Sequence, residues 1–172
     1  MSLTHDFDLA ALRLSAGEGR QLDLLEAALD DLQFGGQRYR PDPRRVAVVL
    51  DVSRLTREGF ALRLRFETAL VGPCMRCLDG AEVRVKVDAR EVDQPNGGEE
   101  LDSPYVQAQI LDIDGWARDA LVLALPTQIV CRADCAGLCP VCGADLNRAP
   151  SDHHHERPRD PRLAKLSEVR FS

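Results

Sequence analysis

The residues that can do chemistry in this chain are its six cysteines, and they fall in pairs at metal-ligand spacing. Cys74 and Cys77 form one CxxC, Cys139 and Cys142 form a second that runs into Gly143, and Cys131 and Cys135 stand just upstream of the latter. In such a knuckle the turn aims backbone N–H groups at the sulfurs while the following glycine relieves the backbone. With His153, His154 and His155 downstream, the candidate ligands number nine, enough for two tetrahedral sites. Thiolate and imidazole donors suit zinc, and structural zinc closes its shell with four of them. The expected cofactor is therefore Zn2+, one ion or two, held by Cys74, Cys77, Cys131, Cys135, Cys139, Cys142, His153 and His155.

Two partitions satisfy that ligand set. One joins Cys74 and Cys77 to Cys131 and Cys135, leaving Cys139 and Cys142 to two of the three histidines. The other joins the two knuckles, as in a zinc ribbon. The first is preferred, because Cys142 to His153 is a loop of ordinary finger length and each site then uses segments that follow one another. Cys135, Cys139 and Cys142 also match the spacing with which radical enzymes hold an iron–sulfur cluster, but those need a large βα scaffold and only about thirty residues follow here. A thioredoxin-type role for Cys74 and Cys77 would require a helix start in a βαβ setting, which the flanking pattern denies.

That pattern is the clearest in the chain. Over residues 60–71, Leu62, Leu64 and Phe66 alternate with Ala61, Arg63, Arg65 and Glu67. Over 81–92, Val83, Val85 and Val87 alternate with Glu82, Arg84, Lys86 and Asp88. Two period-two runs flanking a short polar break predict a β-hairpin with the first CxxC at its turn, where the sheet fixes both sulfurs. Residues 7–14 and 45–52 read as further strands. Leu22, Leu25, Leu29 and Leu32 recur at helical spacing, although Leu22, Leu24 and Glu26 also fit a strand, so residues 20–33 stay open between the two. Gly35-Gly36 and Pro41-Asp42-Pro43 break the chain, and residues 94–104 read as a mobile acidic loop. Asp114 is placed to cap a helix through Trp116, Ala120, Leu121 and Leu123 that ends at Pro126. Asp160-Pro161 opens a short closing helix carrying Leu163, Leu166 and Val169. The expected fold is α+β: an antiparallel β-rich core domain over 1–130 with one or two packed helices, and a metal-stapled Cys/His tail over 131–172.

Charge narrows the partner. The chain has 172 residues and net charge −6, and the acid is concentrated in its middle: residues 74–130 hold 5 basic and 11 acidic side chains, against 10 and 11 before and 7 and 6 after. A protein devoted to nucleic acid usually carries excess Lys and Arg to displace phosphate counterions, so a basic protein partner is the easier expectation. Local arginines, Arg38, Arg40, Arg44 and Arg45, leave RNA as the other. No apolar run approaches membrane-spanning length, and Asp6 and Asp8 stand where a signal peptide needs basic residues, so the expected location is cytoplasmic. There thiols stay reduced, and paired cysteines bind metal rather than form disulfides. No convergent nucleophile, base and acid set and no phosphate-cradling glycine loop is present. The chain therefore reads as non-enzymatic, without a small-molecule substrate. The alternatives are a zinc-dependent hydrolase with an open Cys/His site and a purely structural zinc module.

Cys74-Met75-Arg76-Cys77-Leu78 after a long strand, the helix ending in Leu123-Ala124-Leu125-Pro126, the run from Cys135 through Cys142-Gly143 to Leu146-Asn147, and Asp160-Pro161-Arg162-Leu163 through Leu166 together resemble the YceD-like family of large ribosomal RNA subunit accumulation proteins. The resemblance covers about residues 7–166. It implies a cytoplasmic, non-enzymatic factor that supports accumulation of large-subunit ribosomal RNA and acts on a large-subunit precursor, through a basic ribosomal protein or ribosomal RNA. The family's genes tend to neighbour that of a small zinc-binding large-subunit ribosomal protein, which points the same way. Many members carry further cysteines after the Leu-Asn segment. Here Ser151 stands in that region and His153 to His155 follow, so the second site is either rebuilt with imidazole or missing.

Overall fold

The computed structural model describes residues 6–95, 97–98 and 101–155, which form an antiparallel β-rich body with one α-helix. Its frame is the pair β6 (Phe60–Pro73) and β7 (Gly80–Asp93), antiparallel in unbroken register from Phe60 opposite Asp93 to Pro73 opposite Gly80. Strict alternation explains the length. Phe60, Leu62, Leu64, Phe66 and Leu70 are buried while the intervening residues reach the surface, where Arg63 and Asp88 pair across the two strands.

The other edge of β6 is shared by two strands. β5 (Arg45–Arg54) covers its first half, and β4 (Gln37–Asp42) covers Ala69 to Val71. β2 (Gly19–Ala28) lies outside β5, and β3 (Leu32–Phe34) outside β4. Segment 20–33 is thus two strands joined at residues 29–31 rather than a helix, and the reason for its helix-like leucines is visible. A register shift between Leu22 and Leu25 moves the apolar parity by one and leaves Leu24 95% exposed. Gly35 and Gly36, both at positive φ, are the two-residue turn between β3 and β4, so the break read there is a hairpin.

The strand expected over residues 7–14 is shorter. β1 (Asp6–Asp8) gives way to a 3-10 turn at Ala10–Leu12 that buries Leu9 and Leu12 together. β1 pairs with β9 (Ile110–Asp112), which pairs with β8 (Val106–Gln107), forming a small second sheet. Its end feeds α1 (Ile113–Leu123). The cap of α1 is Asp112, whose carboxylate accepts from the Gly115 N–H at 2.9 Å, and not Asp114, whose carboxylate accepts from the Ala28 N–H at 2.8 Å and ties α1 to β2. Trp116, Ala117, Ala120 and Leu121 are buried in the common core, and Trp116 stacks on Tyr105 with ring centroids 6.2 Å apart. The acidic segment 94–104 includes three positions outside the described residues, and the closing helix read at 160–169 lies outside them altogether.

One buried aromatic anchors the end of the hairpin that carries the first CxxC. Tyr39, fully buried on β4, donates its hydroxyl to the Pro73 carbonyl at 2.8 Å. Its ring lies against Gly72, where any Cβ would collide with it. The base of the turn is thereby fixed against the sheet.

Candidate metal centre

The six residues between β6 and β7 are the first knuckle. The Cys74 N–H donates to the Asp79 carbonyl at 2.6 Å, the Leu78 N–H to the Cys74 carbonyl at 3.0 Å, and the Arg76 N–H to Cys74 Sγ at 3.4 Å. Leu78 takes the left-handed conformation, φ 66, that such a turn needs at its end. The chain leaving α1 then passes alongside. The Met75 N–H donates to the Ile129 carbonyl at 2.9 Å, and the Ile129 N–H points back at Met75 Sδ, 3.4 Å away. Ile129 is fully buried, so it seats Cys131 beside the knuckle.

Arg76 completes the docking. Its guanidinium donates to the Gln128 side chain and to the Cys135 carbonyl, the latter at 3.1 Å, while its own carbonyl accepts from the Leu138 N–H at 3.0 Å. Gly137, at φ 77, passes so near Arg76 that a Cβ there would lie 3.1 Å from the Arg76 carbonyl oxygen.

These contacts bring Cys74, Cys77, Cys131 and Cys135 into one cluster, every sulfur within 4.8 Å of the others. Cys74 lies 3.8 Å from Cys135 and Cys77 3.7 Å from Cys131, sulfur to sulfur. Four thiolates about 2.3 Å from a tetrahedral zinc stand about 3.8 Å apart, so the spacing fits that ion. Cys74, Cys77 and Cys135 are buried and Cys131 is at the rim.

The thiols answer to one another. Burial pushes Cys74 up, but hydrogen bonds from the Cys77, Cys131 and Arg76 backbone and from the Cys77 thiol outweigh it and bring it down to about 6. Cys77 receives a lowering backbone bond at Asp79, yet burial and the neighbouring sulfurs push it up to about 12, and burial raises Cys131. One negative charge is welcome in the cluster and further ones are not, unless a cation sits among them.

Cys139, Cys142, His153 and His155 form a second cluster, also within 4.8 Å. The Gly143 N–H donates to the Cys139 carbonyl at 2.8 Å with Gly143 at φ 74, the knuckle turn that its CxxCG sequence announces. Nε2 of His153 lies 3.7 Å and Nε2 of His155 3.2 Å from Cys142 Sγ. These distances bracket the about 3.6 Å expected between a thiolate and an imidazole on one tetrahedral zinc. The two rings meet edge to face at 4.9 Å. A hydrogen bond from His153 leads the causes that bring Cys139 down to about 6. His154 lies outside this cluster, with Nδ1 2.7 Å from the Asp152 carbonyl oxygen. Cys139 is buried, whereas Cys142 and His155 are exposed.

Of the nine sequence candidates the fold gathers eight, in two groups of four, and sets His154 apart. Sequence reasoning gave no role to Asp145 and Asn147, which lie between the clusters. The Asp-x-Asn spacing was the available signal, since both residue types bond readily to nearby backbone.

Three of the four arginines named as a possible RNA surface, Arg38, Arg44 and Arg45, stand beside acids. Arg38 and Arg44 both pair with Asp31, at 2.7 and 2.6 Å, and Arg45 stands 4.0 Å from Glu26.

Comparison with known proteins adds one family and several relatives. The family model described as large ribosomal RNA subunit accumulation protein YceD matches residues 62–170. Proteins of Mycobacterium tuberculosis and Mycobacterium bovis, each described as uncharacterized, are 41% identical over 118 residues, covering 65% of this chain and 56% of theirs. An uncharacterized protein of Mycobacterium leprae is 31% identical over 105 residues, 58% of this chain and 48% of its own. The chain thus spans about half the length of the curated relatives it matches. No solved structure matches it.

Proposed function

Because the chain belongs to the YceD family of large ribosomal RNA subunit accumulation proteins, we propose that it is a non-enzymatic factor in large-subunit biogenesis, with a binding surface held in shape by structural zinc. One observation carries this reading: the family match begins inside β6 and runs through both four-donor clusters, so the segment shared with the family is the segment that bears the ligands. In this reading residues 1–130 form the core domain and 131–172 a metal-binding tail packed on it. Cys74, Cys77, Cys131 and Cys135 hold one Zn2+, and Cys139, Cys142, His153 and His155 hold a second. Four protein donors fill a tetrahedral shell and leave no place for an activated water, which favours a structural role over a zinc hydrolase.

The proposed partner is a large-subunit precursor, met through a basic ribosomal protein. Supporting this, acid outnumbers base over residues 74–130, and Arg38 and Arg44 are already paired with Asp31. The proposed location is the cytoplasm; among the described residues no helix is long and apolar enough to cross a membrane.

Pull-down of the tagged protein from lysate, split with and without ribonuclease, tests the partner. Large-subunit proteins retained after digestion support the protein contact, and their loss on digestion transfers the contact to ribosomal RNA. Enrichment of neither over a mock control removes the ribosomal reading.

Metal removal has its own expected course. Under excess chelator, zinc leaves in two steps of about equal amplitude. The faster belongs to the second cluster, because Cys142 and His155 are exposed whereas three of the four sulfurs in the first are buried. His153→Ala with His155→Ala should abolish the fast step and leave the slow one, followed by a colorimetric zinc indicator. A single step that these substitutions leave unchanged would contradict the two-site arrangement.

A further inference from the structure

Asn147 sits in the loop between Cys142 and His153, which the second cluster closes, yet its side chain reaches the first. Its Nδ2 lies 3.6 Å from Cys135 Sγ and donates to Asp145 Oδ1 at 2.6 Å. Its Oδ1 accepts from the Ala136 N–H at 2.8 Å and from Arg132 Nη2 at 2.7 Å, two groups in the segment that carries Cys131 and Cys135. Asp145 holds the amide in that pose by also accepting the Asn147 N–H at 3.0 Å. The backbone around the pair is laid against the same segment. The Cys139 N–H donates to the Ala144 carbonyl, the Leu146 N–H to the Gly137 carbonyl, and Leu138 bridges to Asp145.

We propose that Asn147 is a positioning residue that couples the two metal sites, so that closing the second site delivers an N–H donor to the Cys135 thiolate of the first. This rests on the reading above that both clusters bind zinc. An amide donor to a metal-bound thiolate draws charge from the sulfur and orients it, and loss of such an outer contact typically weakens metal affinity about 10- to 100-fold. The donor is in place only when the loop from Cys142 to His153 is ordered, and metal at the second site orders it. By linkage the effect is reciprocal: each site binds more tightly when the other is filled.

The test uses the full chain loaded with zinc or cobalt(II). Asn147→Ala is expected to weaken the first site about 10-fold. Asn147→Asp, which retains an oxygen toward Ala136 and Arg132 but no N–H toward sulfur, should do the same. Both should move the thiolate-to-cobalt charge-transfer band of the first site to longer wavelength, a change that loop packing alone would not produce. Vacating the second site with Cys142→Ser and His155→Ala should weaken the first at least about 5-fold in the native background. In the Asn147→Ala background it should produce no further loss. Equal loss in both backgrounds, or an unmoved band in both Asn147 variants, overturns the coupling while leaving two zinc sites standing. A native chain that binds no zinc overturns the zinc reading itself, and the coupling with it.

Discussion

Replacing Cys74 and Cys77 together by serine is expected to cost the protein one equivalent of zinc and to lower its melting temperature by on the order of 10 °C or more. Serine oxygen does not ionise at neutral pH, so the pair can no longer supply two of the four thiolates that would hold the ion. The site lies within the body of the protein: Cys74 is fully buried, Cys77 nearly so, and both belong to the same packed core as Leu70 and Ile129. Zinc binding in finger peptides contributes about 10–16 kcal/mol of apparent folding free energy. A whole domain is usually stable by only about 5–15 kcal/mol. The β6–β7 ladder is held by its own strand pairing from Phe60 to Pro73 and contains no ligand, so the loss is expected to fall first on the segment docked through Ile129, Arg76 and Cys135. Elemental analysis beside differential scanning calorimetry checks the result. Unchanged metal content in the double variant would remove these two residues from the site.

The second large effect belongs to the core and leaves the metal in place. Leu64 is fully buried at the middle of β6, opposite Leu50 on β5 and Ala89 on β7. Leu64→Ala removes three side-chain carbons, Cγ and both Cδ methyls, from a strand fixed by neighbours on both sides that cannot collapse into the gap. The expected loss is about 2–5 kcal/mol. In urea the midpoint should fall while the slope of the transition stays the same. Zinc per folded molecule should remain at the native value, because Leu64 lies ten residues before Cys74 along β6. A loss below about 1 kcal/mol would contradict the place of β6 at the centre of the sheet.

Taken together, the two variants separate what the sheet contributes from what the clusters contribute. The sheet holds the first knuckle through Tyr39, Gly72 and Pro73, and the clusters hold the chain after α1 against that knuckle. In the proposed role such a surface would change shape on loss of metal while the β6–β7 ladder persists. Loss of partner binding on chelation, with the ladder still protected from hydrogen exchange, is the expected signature of the proposed role.

Legibility in the sequence followed the strength of the local signal. The β6–β7 hairpin was readable because the alternation over residues 60–71 and 81–92 leaves only one face to bury, and that fixed the first CxxC at a turn. The shift between Leu22 and Leu25 erased the same signal in β2, since a displaced parity imitates a helical repeat. At the start of α1 two acids, Asp112 and Asp114, were equally good caps by type. The choice between them came from where β9 ends and from the Ala28 N–H that claims Asp114. The 3-10 turn at Ala10–Leu12 cut short an expected strand because burying Leu9 and Leu12 side by side requires spacing by three.

For the candidate centre, residue types and spacings by themselves determined the donor chemistry, the two knuckle turns and the family resemblance, because each depends on residues within a few positions of one another. Loop length in the sequence favoured joining Cys74 and Cys77 to Cys131 and Cys135 but left the zinc-ribbon pairing open, and the tertiary structure decided between the two. Cys74 and Cys135 are 61 positions apart and meet only because Ile129 docks on Met75 and Arg76 reaches Cys135. The separation of His154 from its neighbours and the reach of Asn147 across to Cys135 are likewise products of that docking, which no local pattern encodes.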